Sequence, residues 1–274
     1  MTASADSVAE DLTRKQRRDA ARAHRKALEQ AQAANTLRRR RLTQLAIVVA
    51  VVAAAFIAAI ISTNGAGETA PGSPSAKRTE RAVNASLLGI PQSGDALGAP
   101  TAAVTLQYFG DLECSVCKEF ALGALPSLIQ RWIRSGKLRI EYRSLETATR
   151  EPEVFNSQQV AALAAGSQNK LWQFVETFYR EQREEGSGYV DENYIQDIAR
   201  QVTGLNLAQW TNARANTTLA SQLSADAQAA SAVGFNGTPS FLLGKTGKTM
   251  KTFSYTSVTD PTSFNESIEQ LTRG

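Results

Sequence analysis

The chain has 274 residues with 30 Lys/Arg, 26 Asp/Glu, one His, two Cys and two Met, for a formal net charge of +4. Its histidine, His24, precedes the only long apolar run and its methionines are Met1 and Met250. The chain after that run therefore lacks a Ser-His-Asp triad and the usual ligand sets for zinc or copper. The positive charge is local: residues 1–41 hold 11 Lys/Arg against 5 Asp/Glu, and the rest is slightly acidic at 19 against 21.

Residues 1–41, with Arg14-Lys15-Gln16-Arg17-Arg18 and Arg38-Arg39-Arg40-Arg41, read as a solvated, Ala-rich cytoplasmic arm and topology signal, not as a nucleic-acid contact. Residues 42–62, apolar from Leu45 to Ile61, cover about 31 Å as a helix, enough to cross roughly 30 Å of hydrocarbon once. Basic residues ahead of the span and the uncharged Thr63-Asn64-Gly65-Ala66-Gly67 after it predict a cytoplasmic N-terminus, with the remaining chain outside the cell membrane. The polar segment before the run is long for a signal peptide and no A-x-A site follows, so an uncleaved single-pass anchor is expected. Residues 63–86, composed of Gly, Ser, Thr, Ala and Pro with scattered charge, read as a flexible linker.

Val104-Thr105-Leu106-Gln107-Tyr108-Phe109 reads as a buried strand closed by a Gly110-Asp111 turn. A helix is expected from Cys114 to about Arg134, kinked at Pro126, and a second strand at Leu138–Tyr142 completes a βαβ unit with its turn at Gly136. Leu171, Phe174, Val175 and Phe178 recur at helical spacing, with Gln173, Glu176 and Arg180 on the other side. Asp191 as N-cap, the stripe Tyr194, Ile195, Ile198 and Val202, and Gly204 beyond it mark another helix. Val160–Ala165 and Leu219–Val233 read as two more, and Trp172, Phe174, Phe178, Tyr179 and Trp210 are expected in the core.

After Gly237-Thr238-Pro239-Ser240, strands at Phe241–Leu243 and Met250–Tyr255 predict a hairpin. Asp260-Pro261 opens a closing helix with Phe264, Ile268 and Leu271 on one face. The order βαβ, helices, ββα predicts an α/β thioredoxin-type sheet split by an insertion. Its first part is expected at 87–149, an inserted helical domain at 150–225 and its second part at 226–274.

The two cysteines stand three apart, Cys114-Ser115-Val116-Cys117, where the first strand passes into a helix. There the first sulfur meets the unpaired N–H groups and the positive dipole end of the helix, which favours a thiolate at Cys114. Cys117, one turn on, is placed to attack a mixed disulfide formed at Cys114, the exchange cycle of a dithiol oxidoreductase. A purely structural disulfide would close a loop of four residues and remove little unfolded-state entropy. With no histidine in the motif, the Cys114 pKa is expected below about 8.5 and above about 3.5. Lys118 pulls it down, and Asp111 and Glu113 push it up.

Gly98-Ala99-Pro100 with Val104-Thr105-Leu106, Phe109 to Cys114, Cys117-Lys118 and Gly237-Thr238-Pro239-Ser240-Phe241-Leu242 resemble the membrane-anchored DsbA-like thiol:disulfide oxidoreductases of bacteria, over about residues 87–274. The resemblance implies a thioredoxin fold with an inserted helical domain, no cofactor and no metal. It implies a redox-active disulfide between Cys114, the attacking cysteine, and Cys117, the resolving one. It also implies that Thr238 and a cis Pro239 form the substrate-facing loop beside the CxxC. The implied activity is an extracytoplasmic oxidase that passes its disulfide to reduced exported polypeptides and is reoxidised by a quinone-linked membrane partner. A reductase or isomerase on the same fold, or a redox-silent peptide- or metal-binding module, are the alternatives. The sequence departs from the family at Ser115-Val116, where Pro followed by His, Tyr or Phe is common. It departs again at Tyr108, where an acid is common, with Asp111 and Glu113 as nearby carboxylates that could substitute.

Overall fold

The computed structural model describes residues 70–273. The basic arm, the expected span at 42–62 and the start of the expected linker lie outside the described residues. Among the described residues no helix is long and apolar enough to cross a membrane.

The described sheet is built from β1 (Gln92–Ser93), β2 (Ala96–Leu97), β3 (Val104–Gly110), β4 (Leu138–Ser144), β5 (Ser240–Lys245) and β6 (Lys251–Phe253). Their spatial order is β1-β2-β4-β3-β5-β6. β3 pairs parallel with β4 and antiparallel with β5, so the strand that leads into the CxxC is flanked on both edges. Its side chains are buried apart from Gln107, as the near-continuous apolar run requires of a strand covered on both faces. β4 instead alternates, burying Leu138, Ile140, Tyr142 and Ser144. Its other face carries Arg139, Glu141 and Arg143, joined by Arg139–Glu141 at 2.8 Å and by Arg143–Asp226 at 3.0 Å. The short pair β1 and β2, which the sequence reading did not contain, extends the sheet antiparallel beyond β4.

The helix after β3 is in pieces: α2 (Ser115–Leu122), α3 (Ala124–Leu128) and a π-helical segment, Ile129–Ile133. The break falls at Gly123, not at Pro126 as expected, with φ −103° and ψ −86°. A Cβ there would lie 2.7 Å from the Glu119 carbonyl oxygen and 2.8 Å from the Thr259 Cα, so glycine lets the chain before the last helix pack against the break. Between β4 and β5 run α4 (Pro152–Gly166), α5 (Leu171–Glu181), α6 (Glu192–Arg200), α7 (Leu207–Arg214) and α8 (Thr217–Ala232), and α9 (Thr262–Arg273) closes the chain. Asp191, Asn206 and Asn216 cap α6, α7 and α8 by accepting from Tyr194 N, Gln209 N and Thr218 N. The helical block extends to Ala232 rather than ending near 225, and its apolar residues join one cluster with those of the sheet.

The expected linker at 63–86 needs correction, because its described part holds a helix, α1 (Pro74–Leu87). Ser73 caps it by accepting from Ala76 N at 3.0 Å, and Pro74 at the first helical position presets φ. Ala76, Val83 and Leu87 are buried, a stripe that the surrounding polar residues concealed. At its C-terminal end the Arg134 guanidinium donates to the carbonyls of Ala85, Ser86 and Leu88, satisfying acceptors that a helix end leaves open. α1 packs on α5, which α2, α4 and α6 also contact. That enclosure explains why Glu176, expected on the solvent side of α5, is only 1% exposed and is held by burial at a pKa of about 7.

Candidate active site

Cys114 is the N-cap of α2: its Sγ accepts from Cys117 N at 3.3 Å, while its own N–H donates to Asp111 O at 3.1 Å. The two cysteines are free thiols, Cys114 5% exposed and Cys117 fully buried. The Thr238–Pro239 peptide is cis, and the Thr238 carbonyl accepts from the Cys114 thiol at 3.4 Å. All four residues singled out from the sequence, Cys114, Cys117, Thr238 and Pro239, therefore meet at one point above the ends of β3 and β5.

The two sulfurs are electrostatically unlike. The hydrogen bond with Cys117, opposed by burial and helped by Thr238 and by the Val116 and Cys117 backbone, lowers the Cys114 pKa to about 7. Burial, then the neighbouring Cys114, push Cys117 well above the ordinary thiol range. Cys114 is therefore the more acidic thiol of the pair, and Cys117 stays protonated beside it. The value at Cys114 lies inside the range expected from the motif. Lys118 does not supply it in the expected way, because its Nζ donates to Gln182 O at 2.9 Å.

Asp111, whose structural role the sequence did not show, and Gln182, which sequence reasoning missed, hold these groups in place. Asp111 is wholly buried, and both its oxygens are used by N–H and O–H donors. Oδ2 accepts from the backbone of Thr147, Ala148 and Thr149 at 2.9 to 3.0 Å, and Oδ1 accepts from Glu113 N and Thr149 Oγ1. Thr147 in turn meets Thr238 through their hydroxyls at 2.5 Å, so one carboxylate connects the turn before the CxxC to the loop opposite it. Gln182, at the end of α5, donates to Leu112 O and Cys114 O at 2.7 and 3.1 Å. Both links join segments 36 or more residues apart, a separation at which local pattern carries no signal.

Tyr108, which stands where the resemblance expects an acid, lies behind Cys117. Its hydroxyl is 2.8 Å from that of Tyr179, which donates to Asp111 O at 3.2 Å, so the proton between the two tyrosines belongs to Tyr108. Burial above all keeps Tyr108 neutral. Gly110 makes room for this arrangement, since a Cβ there would lie 2.8 Å from the Tyr108 ring and 2.9 Å from its hydroxyl. Of the two carboxylates named as substitutes, Asp111 is committed to the loop. Glu113 is buried beside Asp111 and held above its ordinary pKa by that burial.

The sequence profile of the thioredoxin family, described simply as thioredoxin, matches residues 92–255. The chain belongs to the thioredoxin family. Within that family it is 22% identical over 105 residues to the probable disulfide bond formation protein D of Bacillus anthracis, covering 38% of this chain and 48% of that protein. The protein of the same description from Bacillus cereus is 20% identical over 145 residues, covering 53% of this chain and 67% of that one. The chain thus matches about half the length of the first relative and two thirds of the second. Among solved structures, oxidised BdbD from Bacillus subtilis superposes with a TM-score of 0.57 at 20% identity, over 68% of this chain and 98% of that one. The alpha-DsbA1 protein of Wolbachia pipientis gives a TM-score of 0.53 at 16% identity, over 69% and 96%. These likenesses show a thioredoxin fold with a helical block of the DsbA type, in agreement with the resemblance carried by the two motifs.

Proposed function

We propose that this thioredoxin-family protein is a thiol:disulfide oxidoreductase that oxidises exported polypeptides outside the cell membrane, to which residues 42–62 anchor it. The observation that carries the reading is the inequality of the dithiol at the head of α2: Cys114, 5% exposed and against the Thr238 carbonyl, has a pKa of about 7, whereas the fully buried Cys117 is held well above the thiol range. In the oxidised domain, a client thiolate attacks Cys114 Sγ. The Cys114–Cys117 bond breaks, and Cys117 leaves as a thiolate and takes a proton. A second client thiolate then attacks the client sulfur of the mixed disulfide and expels the Cys114 thiolate. The client departs with a disulfide, the domain holds the two electrons as a dithiol, and a quinone-linked membrane partner accepts them together with two protons. Thr238 and Pro239 face the client chain, with the Thr238 carbonyl already against the reacting sulfur.

Cys114→Ser is expected to abolish oxidation of a reduced test protein. Cys117→Ser should leave a nucleophile that accumulates clients as mixed disulfides visible on a non-reducing gel. Wild-type oxidation by either variant overturns the proposal. A second reading, a reductase, draws on the same Cys114 value, which equals the pKa of about 7 found in thioredoxin. A glutathione titration separates the two: a potential above thioredoxin's, near −270 mV, selects the oxidase, and one at or below it selects the reductase. Protease accessibility of the domain in cells with the outer layers removed tests the anchor orientation.

A further inference from the structure

Ser115, the first residue between the cysteines, is engaged by a distant carboxylate. Glu185 Oε2 accepts from Ser115 N at 2.9 Å and from Ser115 Oγ at 2.8 Å. The N–H of Ser115 is the first free donor of α2, and Cys114 draws on the same helix end through Cys117 N. Glu185 reaches this position from a segment already fastened to the motif, because Gln182 holds Leu112 O and Cys114 O while Lys118 holds Gln182 O. A turn in which Ser187 N and Oγ donate to Glu184 O presents the carboxylate.

We propose that Glu185 is a positioning residue for Cys114, acting through Ser115. Its carboxylate competes with the Cys114 thiolate for the positive end of α2 and holds that sulfur less reactive than the helix alone would make it. The inference deepens the thiol-exchange reading above and rests on it. The physical argument is that a helix N-terminus offers roughly half a positive charge within its first turn, and here two anions share it. The other titratable groups around Cys114 are Cys117 and Lys118 on α2, Asp111 and Glu113 on the preceding turn and Tyr255 after β6; Lys118 Nζ is spent on Gln182 O and the Asp111 carboxylate on the Thr147 loop. Glu185 is also among the charges that raise Glu113. Of these, Glu185 is the one bonded to the dipeptide that separates the cysteines.

The test compares wild type with Glu185→Gln, which keeps an oxygen acceptor for Ser115 and removes the charge, and with Ser115→Ala, alone and combined. Thiolate absorbance of the reduced protein against pH reads the Cys114 pKa. Equilibration with glutathione reads the potential. Glu185→Gln should raise the thiolate-to-thiol ratio on the acid side of the titration about threefold. At a pH well above 7, where Cys114 is wholly thiolate, it should shift the glutathione equilibrium about threefold toward the reduced domain, roughly 14 mV at 29.6 mV per decade. Both shifts should shrink in 1 M salt, since Glu185 and Ser115 are exposed. In the Ser115→Ala background the charge change should produce a smaller effect of the same sign, because the bond from Ser115 Oγ is gone while the one from Ser115 N still holds the carboxylate at the helix end. An unmoved pKa in Glu185→Gln overturns the proposal, and so does a shift that is unchanged in 1 M salt. Wild-type protein that fails to exchange with glutathione would instead overturn the oxidoreductase reading, and the absorbance titration would still decide the role of Glu185.

Discussion

Asp111 shows how one buried side chain can set the geometry of a site without taking part in its chemistry. Its two oxygens accept five hydrogen bonds, three of them from consecutive backbone N–H groups of the loop that carries Thr147. Asp111→Asn would turn one acceptor into an NH2 facing buried donors. The expected cost is about 2–4 kcal/mol of unfolding free energy, because buried donors then lose their partners and cannot regain water. Urea unfolding of the reduced domain checks it: the midpoint should fall with an unchanged m-value, and a loss below about 1 kcal/mol would mean that the loop is held by other contacts. The same variant should weaken client trapping through Cys114, since the Thr147–Thr238 contact is anchored by that loop. Before the structure, Asp111 was legible as a turn residue and as a spare carboxylate. That four of its five hydrogen bonds come from 36 to 38 residues on depends on β3 and β4 ending side by side, which no local pattern encodes.

The helix α1 is the element whose role differs most from its sequence. Its Gly-, Ser- and Ala-rich surroundings suggested an unstructured tether, yet Val83 and Leu87 are buried against α5 and Arg134 closes its C-terminal end. Burying one Val or Leu side chain contributes about 1.5–3 kcal/mol. A domain beginning at residue 88 should therefore be less stable than one beginning at residue 70 by at least about 3 kcal/mol, measured by urea unfolding of the two fragments. Equal stabilities would show that α1 only rests on the surface. The strong elements were legible for the opposite reason. β3 carries a near-continuous apolar run and β4 a period of two, in seven residues each, and Asp191 caps α6 as its spacing predicted. α7 was not legible, because its one buried apolar residue is Trp210 and a single residue has no period. The break at Gly123 was assigned to Pro126 because the reason for it, the approach of Thr259, comes from the far end of the chain.

Taken as a whole, the molecule was readable from the sequence where chemistry is local: the Cys114–Cys117 pair, the Thr238-Pro239 loop and the βαβ…ββα order all stand in short motifs. What was hidden is the support from the α5–α6 segment, Gln182 and Glu185, whose relation to the cysteines exists only after the helical block folds back over the sheet. The unequal burial of the two thiols also fixes a proton inventory for the domain's two-electron couple. The Cys114 pKa is lowered to about 7, so below that pH the dithiol carries two protons and above it one, while Cys117 keeps its own far into the alkaline range. Two protons per two electrons move the midpoint potential by about 59 mV per pH unit and one proton by about 30 mV, from 29.6 mV per decade. A plot of potential against pH should therefore bend to half its slope near pH 7. Glu176, which also titrates at about 7, does not alter the bend as long as its pKa is the same in both redox forms. A line straight to about pH 8.5, where an ordinary thiol begins to ionise, would show that the end of α2 gives Cys114 no acidity at all.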